Sequence, residues 1–245
     1  MNSLKQLAKK TPVLPSLYRL LVKSKDYFQL KSKSAEQVFD SIYKKNTWGG
    51  KESASGTGSD AYQTRNIVPL IPSVIREYDI ATMLDIPCGD FNWMRNVDLT
   101  PVDYIGADIV DGLIDNNRAN FAKSNVHFQK LDIIKSPLPK VDLVFCRDCL
   151  VHLSFDDAFQ ALHNLCNSQS AYLLTTTFTE RKKNSDILTG QWRTLNFELP
   201  PFNFPAPIQV FNEGCTEGGG AFQDKALGLW KISDIQKSLG KAIAK

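Results

Sequence analysis

The stretch Met83-Leu84-Asp85-Ile86-Pro87-Cys88-Gly89-Asp90-Phe91-Asn92-Trp93-Met94 reads as a buried strand, a tight loop and the start of a helix. Apolar residues from Ile80 to Ile86 suit a strand covered on both faces, as in a parallel sheet. Gly89 permits close backbone approach where a helix N-terminus would offer N–H groups to a ligand. The loop is thus a place for a cofactor.

Outward from it, strand-like and helix-like runs alternate, the pattern of a parallel sheet with helices on both faces. The expected strands are Thr82–Ile86, Asp103–Asp108, Val126–Lys130, Val141–Cys146 and Ala171–Thr176. Helices are expected at Ala35–Lys45, Asp111–Lys123 and Phe155–Asn167, the last capped by Ser154 with Asp156 and Asp157 in its first turn. Another lies within Ala61–Tyr78, where Pro69 and Pro72 point to a start near the second proline. Beyond Phe178 the alternation stops. Residues 179–207 form a polar, aromatic and proline-rich insertion suited to substrate recognition. Two more strands, Ile208–Glu213 and Lys225–Ile232, are joined by Gly214–Gln223 as an antiparallel hairpin.

Ahead of the core, residues 46–60 make a Gly/Ser loop headed by Trp48. Such a loop can fold over a ligand, its N–H and hydroxyl groups binding an anionic group while Trp48 excludes water. We read it as a lid on a single domain, residues 35–245, preceded by a basic arm, residues 1–34. From Met1 to Lys33 there are eight Lys or Arg against Asp26 alone, so the overall charge of +3 belongs to the arm and the rest carries −4. Leu17, Leu20, Leu21 and Val22 beside Arg19 and Lys23 suit a peripheral contact with an anionic membrane or a partner; a solvated tail is the alternative. The arm has no continuous apolar segment of the secretory kind, and no run approaches the roughly 20 residues that span a bilayer. A cytoplasmic location is expected. Five cysteines at irregular spacings suit reduced thiols, Cys146 and Cys149 included.

Ligands of open α/β sheets bind beyond the carboxyl ends of the strands, and four acids fall there: Asp85, Asp108, Asp132 and Asp148. Asp108 is placed to accept from two ribose hydroxyls, Ile109 and Ile133 to hold an adenine between them, and Asp132 to accept from its amine. A pyrophosphate is disfavoured, because the loop lacks the required glycine spacing and Asp90 would repel it. A cofactor with a cationic end suits these acids, which points to S-adenosylmethionine.

Leu84-Asp85-Ile86-Pro87-Cys88-Gly89-Asp90 resembles the first motif of class I S-adenosylmethionine-dependent methyltransferases, with Pro87 and Phe91 where glycine is frequent. Tyr104–Ile109 resembles the ribose-binding second motif, Lys130–Ile133 the adenine-binding third, and Asp142–Leu153 the fourth. Trp48–Ser59, Cys146–Leu153, Thr189–Arg193 and Pro200–Pro205 are similar to a bacterial and viral branch associated with glycan assembly, which includes sugar O-methyltransferase domains. The resemblance implies a Rossmann-like α/β fold with seven strands ordered 3-2-1-4-5-7-6, the seventh antiparallel. It also implies a cofactor set: Asp85, Pro87, Cys88, Gly89, Asp90, Trp93, Asp108, Ile109, Asp132, Ile133 and Arg147, with Ser55, Gly56, Gly58 and Ser59 of the lid.

Methyl transfer to a sugar hydroxyl benefits from a general base, and Asp148 and His152 are two candidates at the end of the fourth strand. His127 and His163 read as structural. No spacing implies a divalent metal, although Asp148 with Glu213 or Asp224 would be the set to hold one. Trp48, Trp192, Arg193, Asn196 and Phe202 carry the donor and stacking chemistry for a sugar or glycan acceptor. Two other readings stay open: an RNA or protein methyltransferase, suggested by the arm, and a non-catalytic cofactor-binding partner of a glycosyltransferase. DNA is not expected as a partner.

Overall fold

The apolar run after Ala81 becomes β1 (Thr82–Asp85), with Met83 in one hydrophobic core and Leu84 in the other. In the computed structural model, which describes residues 30–243, β2 (Asp103–Asp108), β3 (Val126–Lys130), β4 (Leu143–Cys146) and β5 (Tyr172–Phe178) run parallel to it. β6 (Gln209–Asn212) and β7 (Lys225–Lys231) complete one sheet in the order β3-β2-β1-β4-β5-β7-β6. β7 is antiparallel to both of its neighbours, β5 and β6. Fold class, strand order and reversed strand are those expected.

Helices α1 (Ala35–Lys44), α2 (Ala61–Thr64), α3 (Ile67–Glu77), α4 (Asp111–Phe121), α5 (Phe155–Asn167) and α6 (Ile232–Ile243) flank the sheet. Ser34 and Gln37 form a capping box at α1, and Ser154 accepts from the Asp157 N–H at α5. α3 differs from expectation: it starts ahead of both prolines. Pro69 occupies its first turn, where no N–H is needed, and buried Ile67, Ile71, Val74 and Ile75 outweigh the bond that Pro72 forfeits.

One further expectation needs correction. The loop after β1 leads not into an α-helix but into a short 3-10 turn, Met94–Asn96, so no helix dipole faces a ligand there. The insertion at 179–207 has no regular element, yet part of it enters the core. Leu195, Phe197 and Phe202 are fully buried, and Phe197 stacks on Phe204 with ring centroids 5.0 Å apart. Each such side chain contributes about 1.5–3 kcal/mol by burial. Nearly all of the basic arm, with Leu17 to Lys23, lies outside the described residues. Among the described residues no helix is long and apolar enough to cross a membrane.

Candidate active site

The loop after β1 is pinned from both sides. The Cys88 N–H donates to the Ala107 carbonyl at 2.8 Å, the Gly89 N–H donates to Asp108 Oδ2 at 3.1 Å, and buried Asn117 of α4 donates to the Gly89 carbonyl at 2.8 Å. Gly89 has φ +55°, and a Cβ there would lie 2.1 Å from Ser55 Oγ. Gly89→Ala is therefore expected to displace the Ser53–Ser59 segment and weaken cofactor binding by about 10-fold or more, read as the dissociation constant.

Asp85 ends β1 fully buried and accepts from the Tyr104 hydroxyl at 2.5 Å. Burial pushes its carboxyl up to about 8, and that of Asp108 up to about 6, where the Val110 and Gly89 N–H groups partly offset burial. Two buried carboxyls with raised affinity for protons fit a ligand bearing positive charge and hydroxyl donors.

The Gly/Ser loop crosses this floor in one fixed arrangement. Asp90 Oδ1 accepts from Ser53 Oγ at 2.9 Å and Oδ2 from the Ala54 N–H at 2.7 Å, so this carboxylate, although it borders the cavity, is occupied in anchoring the loop. Arg147 Nη2 donates to the Gly58 carbonyl at 2.9 Å and Thr57 Oγ1 to Glu217 at 2.7 Å. α1 is tied down by Lys130, which pairs with Glu36 at 2.6 Å and with Asp111 of α4 at 2.7 Å.

At the end of β4 the two base candidates have different surroundings. Asp148 lies 2.6 Å from Lys225 Nζ and 3.4 Å from Arg147 Nη1, while Arg147 also donates to buried Glu213 at 2.8 Å. Burial raises the Asp148 carboxyl, but the two cations outweigh it and hold it well below the usual carboxylate range. His152 Nδ1 is 2.9 Å from the Gln191 carbonyl. A carbonyl only accepts, so Nδ1 carries the proton and Nε2 is left as the acceptor of a neutral ring. Burial lowers the imidazole below its ordinary 6.5, and Trp48 lies against it at 4.9 Å between centroids.

A cavity of about 440 Å³ joins these parts. It is lined by every cofactor residue expected from the sequence: Asp85, Pro87, Cys88, Gly89, Asp90 and Trp93; Asp108, Ile109, Asp132, Ile133 and Arg147; Ser55, Gly56, Gly58 and Ser59. Asp148, His152, Trp48 and Trp192 line it too. Arg193, Asn196 and Phe202 do not. Phe202 packs against Phe155, Phe159 and Phe197, Asn196 donates to the Thr179 and Arg181 carbonyls, and Arg193 donates to the Val151 and Leu153 carbonyls. Sequence reasoning missed Phe39, Tyr43, Phe178, Glu217, Phe222 and Lys225 in the lining. For Phe39 and Tyr43 a signal exists: α1 buries only Val38 and Ile42 fully, which leaves this aromatic pair four apart for the cavity.

The carboxylates considered for a metal face cations instead. Asp148 and Glu213 share Lys225 and Arg147, and Asp224 is paired with Arg181. Among the described residues no three His, Cys, Asp or Glu side chains converge as a metal site requires.

Residues 83–169 match the family model described as a methyltransferase domain, a span from β1 to just past α5. No curated protein matches the sequence. Of solved structures, human N-acetylserotonin methyltransferase in complex with S-adenosylmethionine is 12% identical with a TM-score of 0.59, covering 94% of this chain and 69% of that one. The N-methyltransferase NodS from Bradyrhizobium japonicum WM9 is also 12% identical, with a TM-score of 0.52 over 71% of this chain and 98% of its own. These likenesses establish the fold.

Proposed function

We propose that the chain moves the methyl group of S-adenosylmethionine onto a hydroxyl of a sugar in a glycan or polysaccharide, with His152 as general base. The match of residues 83–169 to a methyltransferase domain and the class I sheet beneath that match support methyl transfer. The hydroxyl acceptor and the base are the inferred parts. The observation that carries them is the contact of His152 Nδ1 with the Gln191 carbonyl, which leaves Nε2 as the acceptor beside Trp48 in the wall of the cavity.

When bound, S-adenosylmethionine supplies an electrophilic methyl group and its own leaving group for an in-line displacement. The chain's share is alignment and proton handling. Asp108 would accept from the ribose hydroxyls, Ile109 and Ile133 would flank the adenine, Asp132 would accept from its amine, and Asp85 with Gly89 would underlie the methionyl end; all six line the cavity. His152 Nε2 takes the acceptor hydroxyl's proton as the oxygen becomes the nucleophile. Trp48 and Trp192 supply flat apolar faces of the kind that pack on sugar rings, and Trp192 is 44% exposed for that contact.

Cofactor affinity is expected to fall as pH drops through about 6, because protonation of Asp108 removes the charge and an acceptor that the ligand needs. Calorimetric titrations on either side of that value check this. The linkage has the opposite sign for the free protein. Carboxyls raised by folding contribute stability that is full below 3.8 and is lost as pH rises through about 6 for Asp108 and about 8 for Asp85.

The acceptor is tested by transfer of labelled methyl to a panel of sugars, with RNA and peptides alongside. Label on a sugar oxygen supports the reading; label on RNA or peptide alone replaces it with the nucleic-acid or protein alternative. Cofactor binding with no turnover on any acceptor favours a non-catalytic partner of a glycosyltransferase. The cytoplasm, with a membrane contact through residues 1–34, is the proposed location.

A further inference from the structure

The insertion carries one charged group that packing alone does not account for. Arg193 is 7% exposed, lies over the Phe155 ring at 5.0 Å, and its side chain donates only to backbone carbonyls among the described residues, with Asp186 acting on it through space alone. Its Nε and Nη2 are buried and unpartnered among the described residues. A desolvated cation with idle donors costs stability, and a methionine or leucine would pack over Phe155 without that cost. Its remaining donor, Nη1, lies 2.6 Å from the Leu153 carbonyl and 3.3 Å from that of Val151.

Those two carbonyls flank His152. The backbone repeats the pattern: the Arg193 N–H donates to the Val151 carbonyl at 3.1 Å, and the Gly190 N–H to the His152 carbonyl at 2.8 Å. Between them, the Gln191 carbonyl accepts from His152 Nδ1 at 2.9 Å. The segment Gly190–Arg193 is thus laced onto Val151–Leu153, the end of the three-residue turn Leu150–His152 and its C-cap, where so short a turn leaves carbonyls to outside donors.

We infer that Arg193 is the positioning residue of the base: by gripping the carbonyls on both sides of His152 it holds the ring against the Gln191 carbonyl, and so fixes the proton on Nδ1. This inference rests on the assignment of His152 as base. A backbone carbonyl here does the orienting that a carboxylate does in the Ser-His-Asp arrangement, where the wrong tautomer is costly. The charged groups acting on the imidazole are Asp148 from the end of β4, which favours its protonation, and Lys225 of β7 and Arg193, which oppose it. Arg193 itself is lowered by burial only to about 10 and stays cationic at neutral pH.

The test is long-range nitrogen–proton NMR on the full chain, which has three histidines to assign, with His152→Ala as the key. Wild-type His152 is expected as a single Nδ1-protonated neutral ring titrating below 6.5. Arg193→Met keeps the packing over Phe155 and should mix the tautomers, raise the midpoint, and lower kcat roughly 10-fold or more with cofactor affinity unchanged. Arg193→Lys keeps the charge but loses the planar group over Phe155 and the reach that sets Nη1 against both carbonyls; it should hold the midpoint low and still lose kcat. An Nε2-protonated ring in the wild type overturns the inference. So does an Arg193→Met ring unchanged in tautomer and midpoint, or, should that variant not fold, an Arg193→Lys enzyme with wild-type kcat. The NMR readout needs no acceptor, so failure to methylate sugars strikes the proposed function and leaves this test standing.

Discussion

His152→Ala is expected to lower kcat by roughly 10²–10⁴-fold while cofactor affinity stays within about twofold, the signature of losing a general base and nothing else. The expectation rests on a difference between neighbours. Asp148 is engaged by Lys225 at 2.6 Å and by Arg147 at 3.4 Å, both on Oδ2, so that oxygen is committed and the charge of the carboxylate is neutralised. His152 keeps Nε2 as an unprotonated acceptor because Nδ1 is committed to the Gln191 carbonyl. The wild-type kcat should rise with pH to a plateau whose midpoint lies below 6.5, and this limb should vanish in the alanine variant. Asp148→Ala should instead show itself in lost thermal stability, since Arg147 and Lys225 would be left buried with Glu213 alone. Unchanged turnover in His152→Ala removes the histidine from the chemistry.

Asp108→Ala is expected to weaken S-adenosylmethionine binding by about 10²-fold, on the order of 3 kcal/mol, the scale of hydrogen bonds to a charged group. The loss has two sources. The ribose hydroxyls lose their acceptor, and the Gly89 and Val110 N–H groups, now held at 3.1 Å and 3.0 Å, lose the partner that shapes the loop. Asp108→Asn separates them, because the amide oxygen can still accept from one N–H while the charge is gone; an intermediate loss is expected. An unchanged dissociation constant in Asp108→Ala would place the ribose elsewhere.

The legible parts of this protein are those whose signal is local. Asp85, Asp108 and Asp132 stand just past apolar runs, and strand ends are where an open sheet binds its ligands. Gly89 adopts φ +55°, a conformation its identity advertises. The illegible parts depend on contacts remote in sequence. Nothing local separates Phe202, which fills a gap against Phe155 and Phe159 of α5, from Trp192, which lines the cavity mouth. Asp148 and His152 look equivalent until Lys225, 77 residues beyond Asp148, is brought against the aspartate. Asp90 reads as a ligand-facing acid; Ser53 and Ala54, 37 and 36 residues earlier, take its oxygens.

The most direct measurement is calorimetric titration of S-adenosylmethionine into the full chain at a pH above the Asp85 value of about 8. The account predicts saturable binding of one molecule per chain, lost or strongly weakened in Asp108→Ala. An absence of saturable binding by the wild-type protein under those conditions would contradict it.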